Sequence, residues 1–343
     1  MKSIVLIASL GSLAIAKPTW SIGQKVDTKS GPVTGHASSW KPDVSEYLGI
    51  PFAQPPVGDL RFAPPKAFTG SKPIDGTKYG KNCPENIGGP ADRSANATAG
   101  EDCLTLNVWT KPQTGEKAKA VMIWVYGGGF GMGKTSDILY DGARLADDND
   151  VVLVSMNYRT NIFGFPRAPW LKEKNPALLD QRLAIEWIRD KLVLRMIILW
   201  LYADNSSIAA FGGDPKRMIL FGQSAGSASV DMYSFAYAKD PIVYGLIAES
   251  GLASNPATPT VNASSGWFQA SQKLGCGGEE AGEKTMPCMR TKKWEDILDS
   301  IERRGVTPNL GAGGFGPSYD GISVMPDYNK RRAEGNFAHL VSH

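Results

Sequence analysis

No run of like charges and no basic stripe with interleaved aromatics occurs in the 343 residues, and Lys+Arg (37) nearly balances Asp+Glu (34) for a net charge of +3. The electrostatic footprint of a nucleic-acid or membrane-surface binder is therefore missing. Long apolar runs are missing too. The two greasiest stretches, Ile4–Leu13 and Leu192–Tyr202, fall short of the roughly 20 residues that a membrane-spanning helix needs, so no integral membrane segment is expected in the mature chain. Internal repeats and low-complexity segments are absent. The four cysteines show no metal-finger spacing, which argues against zinc; no metal and no cofactor is expected. Histidine is scarcer still, with only His36, His339 and His343.

What is present points to export. Lys2, the apolar stretch Ile4–Leu13 and the small residues Ala14 and Ala16 read as a signal peptide over residues 1–16, leaving one domain over 17–343. Cys83, Cys103, Cys276 and Cys288 fall into two close pairs, which suits local disulfides in an oxidising compartment. Asn96, Asn205 and Asn262 each open an Asn-x-Ser/Thr sequon and are candidate glycosylation sites of a secreted protein.

The first hundred residues are rich in Pro and Gly and read as loops around short strands. Leu104–Trp109, Ala120–Tyr126, Val151–Asn157, Met218–Phe221 and Gly245–Ala248 read as strands, and Ala177–Ile188 reads as a helix. Alternating strands and helices imply an α/β sheet with helices on its faces. Leu192–Tyr202 does not fit, being apolar all round except for Arg195.

Three glycine motifs compete. Gly222-Gln223-Ser224-Ala225-Gly226 fits G-x-S-x-G. An apolar strand enters it and small residues compatible with a helix leave it, the context a nucleophile elbow requires. Gly127-Gly128-Gly129-Phe130 follows a strand, and its backbone N–H groups can approach the oxyanion of an acyl-transfer intermediate. The overlapping Gly128–Thr135 satisfies the P-loop pattern. That reading lacks a magnesium-binding Asp at the end of a strand, and Asp141-Gly142 follows too soon for a long P-loop helix. Gly311–Gly316 has the form G-x-G-x-x-G, but no strand enters it and Pro317 follows, so the dinucleotide reading fails.

Phe211-Gly212-Gly213-Asp214-Pro215 followed by Gly222–Gly226, Glu101–Val108, Tyr47–Phe52 and Leu178–Arg182 together resemble the type-B carboxylesterases, the group that includes cholinesterases and some fungal lipases. The resemblance implies an α/β-hydrolase fold with a mostly parallel central sheet, helices on both faces and its C-terminal part missing. By position it implies Ser224 as nucleophile, Gly128, Gly129 and Ala225 as oxyanion donors, and Ser250 as a hydroxyl near the catalytic acid. It also implies disulfides Cys83–Cys103 and Cys276–Cys288 and a buried Arg61–Glu101 ion pair.

Two departures accompany it. Residues 191–204 intervene where the family runs almost directly into Ile208–Phe211, and are expected to be foreign sequence. The family's acid and histidine follow the nucleophile beyond a segment like Tyr319–Ala338, so the chain is expected to be truncated and weak or inactive as given. The Cys83–Cys103 loop holds no Trp, Tyr or Phe, and Ile87 is its only large aliphatic residue. In the cholinesterases that the chain resembles this loop carries a Trp for the choline cation, and in the lipases it forms a long apolar lid; the resemblance thus implies neither choline esters nor a lipase lid here, which leaves soluble esters as substrates. The alternative is a non-catalytic binding or adhesion protein on the same fold.

Overall fold

The computed structural model describes residues 20–86, 98–112, 118–190, 207–254, 264–301 and 314–342. The expected signal peptide, Asn96, Asn205, Asn262, the segment 191–204 and His343 lie outside the described residues.

The Pro/Gly-rich first part supplies β1 (Val26–Thr28), β2 (Gly31–Thr34), β3 (His36–Ala37), β4 (Ser45–Pro51) and β5 (Ile74–Asp75). Next come β6 (Thr105–Thr110), β7 (Lys119–Val125), β8 (Val152–Met156), β9 (Gly213–Gln223), β10 (Gly245–Glu249) and β11 (Val341–Ser342). Strands β1, β2 and β5 form a small sheet; the other eight lie in the order β11-β10-β9-β7-β8-β6-β4-β3. Neighbours from β11 to β8 are parallel, and those from β8 to β3 are antiparallel. Strand β9 begins at Gly213, earlier than its apolar run at Met218, because residues 214–217 bulge out where its register on β7 shifts. Pro215, which has no N–H to donate, falls in that bulge.

The helices are α1 (Ala143–Asn149), α2 (Asn161–Gly164), α3 (Pro176–Arg189), α4 (Ala225–Ala236), α5 (Ser265–Lys273), α6 (Thr285–Thr291), α7 (Trp294–Ser300) and α8 (Tyr328–Ala333). Alternation along β7 decides which face each residue serves. Val121, Ile123 and Val125 are buried in the main core with Ala184, Ile185 and Ile188 of α3 and Val230 and Met232 of α4. Met122 turns the other way, toward Trp109, Leu153 and the α1 residues Ala143 and Ala146. Helices thus cover both faces, as an α/β-hydrolase requires. A further cluster built on Phe62, Phe163, Trp267 and Met289 attaches α5–α7.

Both expected disulfides are formed, with Cα atoms 5.0 Å apart for Cys83–Cys103 and 5.5 Å for Cys276–Cys288. The expected Arg61–Glu101 pair is bidentate, at 2.6 and 2.5 Å. Arg61 Nη1 also donates to the carbonyls of Met289 and Lys292, which fastens the N-terminal region to α6.

Helix α3 begins with Pro at its first turn, where the missing N–H has no intrahelical partner to lose. At its far end the N–H of Ser207 donates to the carbonyl of Asp190 at 3.1 Å. The two chain ends flanking residues 191–206 are therefore within one hydrogen bond of each other.

Candidate active site

Ser224 stands between β9 and α4 with φ 56° and ψ −119°, a left-handed backbone that a non-glycine residue adopts only at a cost. Close packing forces it. A methyl group on Gly226 would lie 2.1 Å from the Val125 carbonyl oxygen, and one on Gly222 would lie 2.7 Å from the same oxygen. Neither neighbour can carry a side chain, so the chain turns sharply and lifts Ser224 to a half-buried position at the C-terminal edge of the sheet. The Ser224 N–H donates to the Glu249 carbonyl of β10 at 2.9 Å, which pins the elbow to the adjacent strand. Ala225 opens the twelve-residue α4. Its N–H belongs to the first turn, which has no intrahelical acceptors, and the helix dipole favours negative charge there.

The loop after β7 meets the elbow directly. A methyl on Gly127 would sit 3.0 Å from Ser224 Cβ and 2.7 Å from the Gln223 carbonyl oxygen. Gly128, Gly129 and Phe130 follow with φ of 117°, 60° and 59°. At Gly128 the requirement is double, since a methyl there would also lie 2.2 Å from the Met132 carbonyl oxygen. Ser224, Gly128, Gly129 and Ala225 are thus placed at one edge, at the ends of β7 and β9.

Two groups that the motifs did not reveal hold this loop. Asn161, fully buried with φ 46°, donates its backbone N–H to the Phe130 carbonyl at 2.7 Å. Its side-chain amide donates to the carbonyls of Gly131 at 3.3 Å and Pro84 at 2.8 Å. The buried Glu85 accepts from the Gly133 N–H at 2.7 Å and from Lys134 Nζ at 3.3 Å. Pro84 and Glu85 follow the disulfide residue Cys83, so the crosslink, the brace and the loop form one unit. Behind it, Arg159 and Asp180 make a buried bidentate pair at 2.9 and 2.7 Å. Burial holds the Tyr126 and Tyr158 hydroxyls above their ordinary range, and each donates to the other residue's carbonyl. Both are neutral struts rather than acid–base groups.

The P-loop pattern does not form a P-loop. No helix follows Thr135; a single turn at Ile138–Tyr140 comes instead. Lys134 is paired with Glu85, and the Thr135 hydroxyl donates to Asn157.

Neither described histidine reaches Ser224. His36 lies on β3, five places along the sheet from β9, a separation of about 24 Å at ordinary strand spacing. His339 precedes β11, whose Val341 pairs with Gly245 at the start of β10, whereas Gln223 pairs with Glu249 at its end. Its ring instead contacts the Gly335 carbonyl and Phe337. Ser250 follows β10 beside the elbow, exposed and with φ 64°.

Comparison with known proteins agrees with this geometry, since the profile described as Carboxylesterase family matches residues 23–339. The chain belongs to the carboxylesterase family. It is 32% identical over 331 residues to a chlorogenic acid esterase of Aspergillus niger, covering 93% of this chain and 60% of that protein. It is 31% identical over 375 residues to Secreted lipase 5 of Gibberella zeae, covering 98% of this chain and 66% of that one. A cholinesterase of Mus musculus is 35% identical over 318 residues, covering 88% of this chain and 49% of its own length. The chain spans about half to two thirds of the length of these relatives.

Proposed function

We propose that the protein is a secreted serine hydrolase of carboxylic esters that works through an acyl-enzyme on Ser224. The observation that carries this reading is the strained elbow at Ser224 packed against the Gly127–Phe130 loop. In the proposed reaction the Ser224 Oγ attacks the ester carbonyl while a base takes its proton. The developing oxyanion is met by the N–H groups of Gly128, Gly129 and Ala225, donors of a kind worth about 3–4 kcal/mol each. The alcohol leaves with a proton from the same base, and water then releases the acid.

The base is a histidine other than His36 and His339, which the sheet places elsewhere. Removing such a base from a serine hydrolase lowers turnover about 10⁶-fold, leaving only what the oxyanion donors and binding give. Hydrolysis of p-nitrophenyl acetate is expected to be lost on Ser224→Ala; turnover that survives the change would contradict the reading. The alcohol is not choline, because no aromatic face for a cation lies in the sequence of the Cys83–Cys103 loop. A non-catalytic role is the less favoured reading: a binding protein has no use for a backbone strained at the serine. The signal peptide at 1–16 and glycans on Asn96, Asn205 and Asn262 belong to the same proposal.

Residues 191–204 are proposed as an insertion that the fold does not need, because Asp190 and Ser207 are already joined by a hydrogen bond. Joining Asp190 directly to Asn205 is expected to leave the melting temperature equal or higher. Failure of the shortened chain to fold would refute it.

A further inference from the structure

Among the described residues, buried arginines are paired, with one exception. Arg61 holds Glu101 and Arg159 holds Asp180; Arg182 holds Glu186 and Asp240. Arg167 is as buried, at 7% exposure, yet no carboxylate lies within ion-pair distance of it among the described residues. Its one hydrogen bond runs from Nε to the Gly316 carbonyl at 3.2 Å. The terminal nitrogens Nη1 and Nη2 have no acceptor among the described residues. Burial pushes its pKa down to about 10, so it remains a cation at neutral pH. The residue also has φ 54°, a left-handed backbone without the excuse of glycine.

An unpaired buried cation is costly, and a fold keeps one cheaply only when an anion arrives to meet it. The guanidinium fork, with its donors in a plane, matches a carboxylate. The position of Arg167 says which anion. It lies on the loop after α2, at the same edge as Ser224. Two residues before it, the Phe165 ring meets the Phe130 ring of the glycine loop, with centroids 5.3 Å apart. Asn161 of α2 is hydrogen-bonded to that same loop. Segment 315–318 closes over the other side, through Gly316 on Arg167 and through the Ser318 carbonyl on Asn175.

We infer that Arg167 is a specificity group of the ester site and recognises a carboxylate carried by the substrate, so that the preferred esters are anionic. The inference rests on the ester-hydrolase reading of Ser224. It places the carboxylate remote from the scissile bond, beside the segment whose Phe165 ring meets the glycine loop, and it assigns Arg167 no part in proton transfer.

The test uses two fluorophosphonates of equal length, one ending in a carboxylate and one in the matching methyl amide, on protein expressed from its complete reading frame. The readout is the ratio of their rates of Ser224 modification. One charge-assisted contact predicts a ratio of about 10–100 in favour of the carboxylate, falling to near one in Arg167→Gln and partly restored in Arg167→Lys. A ratio near one in the unmodified protein, with Ser224 labelled by both probes, overturns the inference and leaves the esterase reading standing. Should Arg167→Gln fail to fold, the ratio in the unmodified protein decides alone. If neither probe labels Ser224, the esterase reading falls and the inference falls with it.

Discussion

The eight-stranded sheet has two halves that are built differently. In the parallel half, from β11 to β8, every strand ends at the same edge, and the loops leaving that edge are strained. Phe130, Asn161, Arg167, Ser224 and Ser250, five of the eight non-glycine residues with positive φ among the described residues, lie on them. In the antiparallel half, β6, β4 and β3 run as a meander, and the buried polar groups there tie strands to one another and to neighbouring loops, as Asn107 does to Ser155 and Thr110 to the Phe211 carbonyl. Trp109 Nε1 donates to Glu46 at 2.8 Å, and His36 approaches the same carboxylate at 3.4 Å. The lesson is one of topology: parallel strands bring distant parts of the chain to one edge, so that edge can hold a site. An antiparallel meander mostly joins neighbours in sequence and contributes stability.

Substitutions can break this contrast. The largest effect is expected for Asp180→Asn in the parallel half. It leaves Arg159 buried without its countercharge, which costs about 3–5 kcal/mol. Chemical denaturation should show a loss of that size, and the loop after β8 should become protease-sensitive. Gly226→Ala comes next. Its methyl would lie 2.1 Å from the Val125 carbonyl, and backbone cannot yield as a side chain can, so a loss of about 1–3 kcal/mol is expected. Ser224 reactivity should fall further than stability does, because the elbow itself must move.

Glu46→Gln in the antiparallel half should have the smallest effect and the opposite sign at neutral pH. Burial, with Asp141 nearby, raises the Glu46 carboxyl above its ordinary value, while Trp109 and His36 pull it down. A carboxyl raised in the folded state binds its proton more tightly there than in the unfolded chain. Its stabilising contribution is thus complete below about pH 4.5, the ordinary value, and is lost as pH rises through the raised one. The amide does not ionise, so Glu46→Gln should melt slightly higher than the parent at pH 7. The difference should vanish as pH falls to 4, with Ser224 reactivity unaltered at either pH.

Much of the parallel half was legible in the sequence because its signals are local. The Gly222–Gly226 motif after an apolar strand gave the elbow, and the Gly127–Phe130 run gave the loop beside it. The cysteine spacing and the family resemblance gave both disulfides and the Arg61–Glu101 pair. Asn161 and Glu85 were not legible, because their partners lie 30 and 48 residues away and nothing in a periodic pattern records a contact across a sheet edge. The isolation of Arg167 is harder still to read, since a missing partner leaves no mark on a sequence. The true start of β9 was hidden for a related reason: Gly213–Arg217 has no apolar alternation, and only its pairing with β7 makes it a strand.

The account stands on Ser224 as the reacting group. The most direct measurement is mass-spectrometric mapping of a fluorophosphonate adduct on protein expressed from its complete reading frame. The adduct is expected on the peptide containing Ser224 and nowhere else, and to disappear in Ser224→Ala while Asn161→Ala only slows its formation. An adduct that survives Ser224→Ala, or that forms on another serine, would contradict the account.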